Sequence, residues 1–428
     1  MDSKPDYSSY NYNQLVDVYN SIDREQYPDR FREVERRLKE LKIQQDNEAN
    51  AKKFTYQENI DAFEFRGNTK EFFSIWIVNV FLTIVTLGIY SAWAKVRTTT
   101  YFYSNTILDN SSFRYHAEPM QILRGRLIAV VLFVSYYVSG YISSTALLIT
   151  AGVLGIFMPM FFVMSMAFKM RVSSYRNVRF TFEKDFKKAY LIFAAPIVAV
   201  VIVLFFNIQA QEEIAASGDI NVGSASLLTF FPFLIFFLYP VFEYFLLKFR
   251  VNQSGYGTER FSFAAKIRSL YGIYVPAIVL FFILMMVTMF LIGSVGAFFA
   301  GSGESTNAQY LLWLAMLPVM LIYLAFFAFI QTKRTNLVYN STSIAGHQIK
   351  SELSVTDMFV LYLTNTLGIM VSLGLLVPWA MIRTTKYKLS KITIMSEDSI
   401  SNFVATQVED QSALGEEVGE LFDLGIGV

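Results

Sequence analysis

Cysteine is absent from this chain, histidine occurs twice, and the charges nearly cancel, with 36 Lys and Arg against 35 Asp and Glu. Without cysteine there can be no disulfides, thiolate metal sites or cysteine nucleophiles. The two histidines, His116 and His347, fall short of the three or four convergent ligands a metal site needs, and no H-x-x-H or H-E-x-x-H pattern surrounds them. Nor is there a G-x-S-x-G elbow or a P-loop. No catalytic, cofactor or metal site is therefore expected, and the chain does not read as an enzyme. A formal net charge of +1 lacks the basic excess of a nucleic-acid binder. The opening MDSKPDYSSYNYNQ has no basic stretch followed by an apolar one, so internal segments are expected to direct any membrane insertion.

What the chain has in abundance is apolar sequence. It is 54% hydrophobic and 16% aromatic, with a mean hydropathy of +0.39, too apolar for a soluble protein of 428 residues. Six apolar segments, roughly 127–145, 147–168, 189–207, 227–247, 271–295 and 310–330, are long enough to cross a hydrocarbon core of about 30 Å. They come in pairs. The loops between pairs, 95–126, 169–188, 248–270 and 332–350, carry roughly twenty Lys and Arg, whereas the connections within pairs are uncharged or acidic. The positive-inside rule puts the basic loops in the cytoplasm. These loops share a pattern, in which a membrane segment ends in Lys or Arg and a polar–apolar alternation follows: Phe113-Arg-Tyr115, Phe180-Thr-Phe182, Phe261-Ser-Phe263. Period-2 aromatics predict small β-ribbons on the cytoplasmic face.

Flanking the six segments, one membrane element is written twice, at 71–101 and 357–387, without a gap. Asn79 matches Asn365, Gly88 matches Gly374, Trp93 matches Trp379, Arg97 matches Arg383 and Tyr101 matches Tyr387. Duplication of this kind marks a polytopic protein built by repetition. If both copies span, a charge-rich, signal-less N-terminal stretch of about seventy residues must cross the membrane, so a re-entrant hairpin bent near Gly88 and Gly374 is expected instead. Non-helical backbone at that depth needs cover, and glycine eases the turn.

Residues 1–60 form a polar extension, with a helix expected to start at Ser21-Ile22-Asp23 and to carry Phe31, Val34, Leu38 and Leu41 on one face. The membrane domain is placed at 61–396, and 397–428 is read as a C-terminal hairpin with an acidic tail. Glu243 is the one carboxylate well inside a clear span. An ionisable group at that depth marks a functional candidate, but its proximity to Lys248 and Arg250 favours a structural ion pair. Seven prolines, among them Pro159, Pro196, Pro276, Pro318 and Pro378, fall in apolar segments, where helix breaks can expose backbone to a substrate.

The F-x-G-N-x-x-E-F-F stretch from Phe65 to Phe73, the TLGIY-x-x-W-A-K-V-R run over 86–97, FRYHAEPMQILRGR over 113–126 and the closing GEEVGELFD resemble the YjgN-type bacterial inner-membrane proteins, a domain family named for unknown function. The resemblance covers about 63–428. It implies the bacterial cytoplasmic membrane as location and brings no catalytic residue or substrate. The second repeat copy departs from the run, with Met381 where the first has Lys95.

The expected architecture is thus an all-α polytopic membrane protein with internal repeats: six transmembrane helices, two re-entrant or spanning end hairpins and small cytoplasmic β-ribbons, with both termini inside. The expected partners are the lipid bilayer and an unknown small solute or protein partner. Two functions fit: a transporter or channel-like protein, or a non-catalytic membrane scaffold.

Overall fold

The computed structural model describes residue 10 and residues 12–22, 27–55, 59–217, 222–301, 305–396 and 399–409, and the chain divides into two units, Met1–Asn59 and Ile60–Val428.

The first unit is a helical hairpin of α1 (Tyr12–Ser21) and α2 (Pro28–Thr55). Leu15 and Val34 are fully buried between them, surrounded by Val18, Tyr19, Leu38 and Leu41, and Tyr19 stacks on Phe31 at 4.9 Å. The apolar stripe of α2 therefore covers a second helix. Ser21 does not start a helix but ends one: its hydroxyl donates to the Asp17 carbonyl at 2.8 Å. The start of α2 is Pro28, where a missing N–H costs nothing.

The second unit alternates helical hairpins with strands. In chain order it runs β1 (Asn59–Ala62), β2 (Glu64–Phe65), α3 (Thr69–Val85), α4 (Ser91–Ser104), β3 (Thr106–Leu108), β4 (Ser111–Tyr115), α5 (Pro119–Ile142), α6 (Ser144–Arg171), β5 (Ser173–Tyr175) and β6 (Val178–Phe182). It continues with α7 (Phe186–Ser217), α8 (Val222–Asn252), β7 (Ser254–Tyr256), β8 (Glu259–Phe263), α9 (Ile267–Gly301), α10 (Ser305–Asn340), β9 (Thr342–Ile344), β10 (His347–Ser351), α11 (Val355–Val371), α12 (Val377–Leu389) and β11 (Ile392–Ser396). A final helix, α13, covers 400–409.

The strands flanking each helical hairpin pair with one another: β2 with β3, β4 with β5, β6 with β7, β8 with β9 and β10 with β11. All five helical hairpins therefore leave the same sheet and return to it. The sheet runs β1-β11-β10-β9-β8-β7-β6-β5-β4-β3-β2. Its two end strands are consecutive parts of one extended stretch, and the Phe63 N–H between them donates to the Ile392 carbonyl at 3.3 Å. The sheet thus closes into a barrel and leaves no free edge. The helices form a ring as well, each packing on the next from α3 to α12 and α12 packing back on α3. The separate β-ribbons expected from the loops are thus one closed structure, and the fold is not all-α.

Local sequence explains the repetition. Four two-residue turns, Asp109-Asn110, Arg176-Asn177, Gly257-Thr258 and Ala345-Gly346, join β3–β4, β5–β6, β7–β8 and β9–β10. Positive φ at Asp109, Asn110, Arg176, Asn177, Gly257, Ala345 and Gly346 gives the turns the twist that short hairpins need. One hydroxyl residue opens the first strand of each hairpin and ties it to the helix before it. Thr106, Ser173, Ser254 and Thr342 each donate to the carbonyl four residues back, at 2.8, 2.9, 2.7 and 2.6 Å, satisfying an orphan helix-end acceptor.

The repeated segments 71–101 and 357–387 become α3–α4 and α11–α12. At their tips Leu87 and Gly88 have φ of +49° and +92°, and Leu373 and Gly374 have +51° and +93°. The exposed backbone is satisfied internally. Gly88 N–H donates to Thr83 and Gly374 N–H to Ile369, while the Thr86 and Ser372 hydroxyl oxygens accept from the N–H groups of Tyr90 and Leu376. Leu87 and Leu373 at the tips are 95% and 94% exposed.

Among the described residues, five helices are long and apolar enough to cross a membrane: α5, α6, α7, α9 and α10. The sixth expected span, 227–247, lies in α8, whose side chains over 222–236 fall outside the described residues. Phe133, Leu191 and Phe290 on these helices are 68%, 77% and 73% exposed, a surface that suits hydrocarbon rather than water. Pro159, Pro196, Pro276 and Pro318 lie inside continuous helices, and Pro378 starts α12, so none of these five divides a helix. The expected C-terminal hairpin is β11 followed by α13, with the Ser399 hydroxyl accepting from Asn402 N–H at 3.2 Å at the start of the helix. The acidic tail, 410–428, lies outside the described residues.

Candidate functional site: a cationic chamber above a phenylalanine belt

Because every second helix runs into a strand, the C-terminal ends of α6, α8, α10 and α12 converge above the barrel. With α4 they enclose a cavity of about 740 Å³. Four cations line it, one from each helix: Lys169, Arg250, Arg334 and Lys388. Helix C-termini favour positive charge, but here the charges face a shared space. Arg334 is neutralised by Glu243, which is 3% exposed. Lys388 sits 6.0 Å over the Tyr362 ring. Lys169, Arg250 and Lys388 have no carboxylate at ion-pair distance among the described residues.

Glu243 is thus held in an ion pair, but not with either neighbour in sequence. Lys248 lies over the Tyr244 ring at 5.9 Å, and Arg250 turns into the chamber. The partner, Arg334, is on α10, a helix that sequence separation gave no reason to choose.

The chamber floor is made by Phe63, Phe113, Phe180 and Phe261, which also form the ceiling of a second cavity, about 160 Å³, inside the barrel. Phe113 stacks with Phe63 at 6.2 Å and with Phe180 at 6.5 Å. The register repeats around the barrel, with Phe113 opposite Tyr175, Phe180 opposite Tyr256 and Phe261 opposite Ile344. The lumen below is lined mainly by apolar and aromatic side chains. Tyr175 donates to the Leu108 carbonyl at 2.7 Å and Tyr256 to the Tyr175 carbonyl at 3.0 Å. Burial pushes the Tyr175 hydroxyl up to about 12 and raises that of Tyr256 further.

α13 plugs the turn end of the barrel with Ile400, Phe403 and Val404. It is latched to three turns. Gln407 Oε1 accepts from Thr258 N–H and Oγ1 at 2.8 and 3.0 Å. Asp109 Oδ2 accepts from Ser401 at 2.8 Å and from Arg176 at 2.7 Å. The Ser401 hydrogen bond and the Arg176 charge hold the Asp109 carboxyl below its ordinary range.

None of the ten repeat-motif residues lines the chamber. Tyr101 and Tyr387 clasp the bases of their hairpins. The Tyr101 hydroxyl accepts from Asn68 N–H at 2.8 Å and lies 3.1 Å from Glu71, and that of Tyr387 accepts from Ser354 N–H at 3.2 Å and lies 3.0 Å from Asp357. Trp93 stacks on Tyr90, and Arg383 lies over Trp379 at 5.1 Å. The two histidines are not equivalent, since His116 follows β4 and bonds Ser174 at 2.8 Å, whereas His347 opens β10 against Phe403. Among the described residues no group of His, Asp and Glu could hold a metal ion.

The chamber cations were counted in the sequence only as loop charge. A usable signal was present: Lys169 and Arg250 each stand four residues before a strand-opening serine, Ser173 or Ser254. Phe63 had none, because its partner strand lies at the far end of the unit.

Five apolar helices and a closed helical ring define a multi-pass membrane protein. The model of the family described as "Bacterial protein of unknown function (DUF898)" matches residues 61–421, and the chain belongs to that family. It is 25% identical over 348 residues to the Inner membrane protein YjgN of Salmonella typhimurium, covering 74% of this chain and 83% of that protein. An Inner membrane protein YjgN from Escherichia coli is 34% identical over 76 residues, 18% of each chain. No solved structure matches.

Proposed function

We propose that this protein is a transporter or channel-like conduit for a small anionic solute in the bacterial cytoplasmic membrane. The observation that carries this reading is the chamber: cations from four helices share one cavity, and among the described residues only Arg334 has a carboxylate, Glu243, at ion-pair distance. Charges held together in a low-dielectric site repel unless a counter-charge joins them, which is the electrostatics of an anion site. Below it, the four phenylalanines make a hydrophobic constriction of the kind that gates by dewetting, and α13 closes the lumen beyond. In this reading the barrel, both tails and the basic loops are cytoplasmic, and α3–α4 and α11–α12 are re-entrant. At 17 residues each, α3 and α11 reach about 25 Å, short of a full crossing. No catalytic step and no nucleic acid are involved.

The test is anion uptake into proteoliposomes containing the full chain. Arg250→Gln and Lys169→Gln should each lower flux ~10-fold, about 1.4 kcal/mol of lost anion stabilisation, without lowering thermal stability. Unchanged flux in both would end the proposal. The lack of native cysteine permits a check on orientation, in which Glu259→Cys resists an impermeant maleimide in intact cells and Glu212→Cys labels. A scaffold role is the second reading, supported by the separate helical unit Met1–Asn59. It requires zero flux with every anion and a protein partner lost on removing that unit.

A further inference from the structure

A third cavity, about 360 Å³, lies between α3, α4 and the start of α5. The Asn79 side chain lines it, is 4% exposed, and has no hydrogen-bond partner at either its Oδ1 or its Nδ2. Lys95 and Arg126 line the same cavity, with Thr83 and Thr98 beside them. Arg126 is tethered by a hydrogen bond to the Ser91 hydroxyl, and no carboxylate lines the cavity. The remaining wall includes Trp76, Val80 and Ile84, and Ile84 is 68% exposed.

The matched hairpin shows that this arrangement is not a requirement of the fold. There Asn365 is satisfied on both sides: its Nδ2 donates to Thr384 Oγ1 at 3.0 Å and its Oδ1 accepts from Arg383 at 3.2 Å. Arg97, the counterpart of Arg383, instead bonds the Tyr90 hydroxyl at 3.3 Å. Met381 stands where Lys95 lies. The first hairpin therefore combines two features its twin lacks, a buried amide free to donate and accept and an added cation facing it.

We infer that this cavity binds the phosphate headgroup of an anionic phospholipid, taken from the surrounding bilayer. Lys95 and Arg126 supply charge for the phosphodiester, Asn79 Nδ2 donates to a phosphate oxygen, and Asn79 Oδ1 accepts from a headgroup hydroxyl. The apolar flank formed by half-buried Val80 and exposed Ile84 receives an acyl chain. A free anion would use the charges but leave that flank uncovered, which favours lipid over inorganic phosphate.

The test is native mass spectrometry of the full chain released from nanodiscs of phosphatidylglycerol mixed with phosphatidylcholine. The wild type should retain phosphatidylglycerol selectively. Lys95→Met, which copies Met381, and Asn79→Leu should each cut that retention by ~10-fold, the loss expected for one hydrogen bond to a charged group. If Asn79→Leu fails to fold, Lys95→Met decides alone. Undiminished retention in the folded variants overturns the site. Displacement of the lipid by millimolar inorganic phosphate overturns the lipid assignment and leaves a phosphate site. Loss of anion flux with retention intact, or the reverse, separates this inference from the chamber reading, on which it does not rest.

Discussion

The α3–α4 and α11–α12 hairpins share turn torsions, basal tyrosine clasps and matched residues, yet they treat their buried asparagines in opposite ways. The difference traces to a few neighbours. Gly368 leaves room for Trp379, whose ring would lie 3.3 Å from a Cβ placed there. Trp379 then supports Arg383 beside Asn365. In the first hairpin Leu82 stands at the glycine position and Tyr90 at that of Leu376. Trp93 pairs with Tyr90 at 6.1 Å, and Arg97 follows it to the tyrosine hydroxyl. A duplicated framework can thus keep its shape while one copy closes its polar contacts and the other is freed for a different use.

That contrast can be broken most directly at the asparagines. Asn365→Leu removes the Asn365 hydrogen bonds to Arg383 and Thr384, which keep only Thr364 Oγ1 and the Ala380 carbonyl, and should cost ~2–3 kcal/mol. Asn79→Leu removes a buried amide with no partner and should cost nothing or stabilise. Thermal unfolding in detergent reads both, and equal losses would show that the two sites are not distinct. The turns should behave alike. Gly88→Ala and Gly374→Ala each force a side chain into positive φ with nothing else in contact, at ~1–2 kcal/mol apiece. Unequal values would mean that the tips carry different loads.

The clasps should give the smallest and most symmetrical effect. Tyr101→Phe and Tyr387→Phe each remove a hydroxyl bonded to a helix-start N–H, worth ~1 kcal/mol. Burial is the leading cause raising both hydroxyls above their ordinary 10.0. A raised folded value means that the contribution is fully present below pH 10 and is lost as pH climbs through the raised pKa. Stability measured across that alkaline range should fall for the wild type, and by less for each phenylalanine variant. A fall unchanged by either substitution would place the alkaline sensitivity elsewhere.

The sequence carried the local features well and the distant ones poorly. Charge by loop and the length of apolar runs located the helices, and period-2 aromatics located Phe113, Phe180 and Phe261 on strands. Alternation reports a strand without naming its neighbour, so separate ribbons and one closed barrel read alike. Glu243 illustrates the same limit: Lys248 and Arg250 were near in sequence, and Arg334 was near only after α8 and α10 had folded onto one sheet. The C-terminal segment misled for a different reason. ITIMS alternates as a strand should, and the helix after it announces itself only through Ser399, a weak start signal beside a polar stretch.

The seam at Phe63 and Ile392 has a consequence for how the molecule is made. As the chain leaves the ribosome, all five helical hairpins and most of the barrel strands are made before β11 is. Until then β1 has no neighbour and the phenylalanine belt is open on one side. Pairing across so long a stretch of chain is intrinsically slow, and an unpaired strand edge invites wrong partners. Closure by the last-made strand therefore delays the sealed lumen until the ring is complete, so a nascent chain halted before β11 cannot hold a closed barrel.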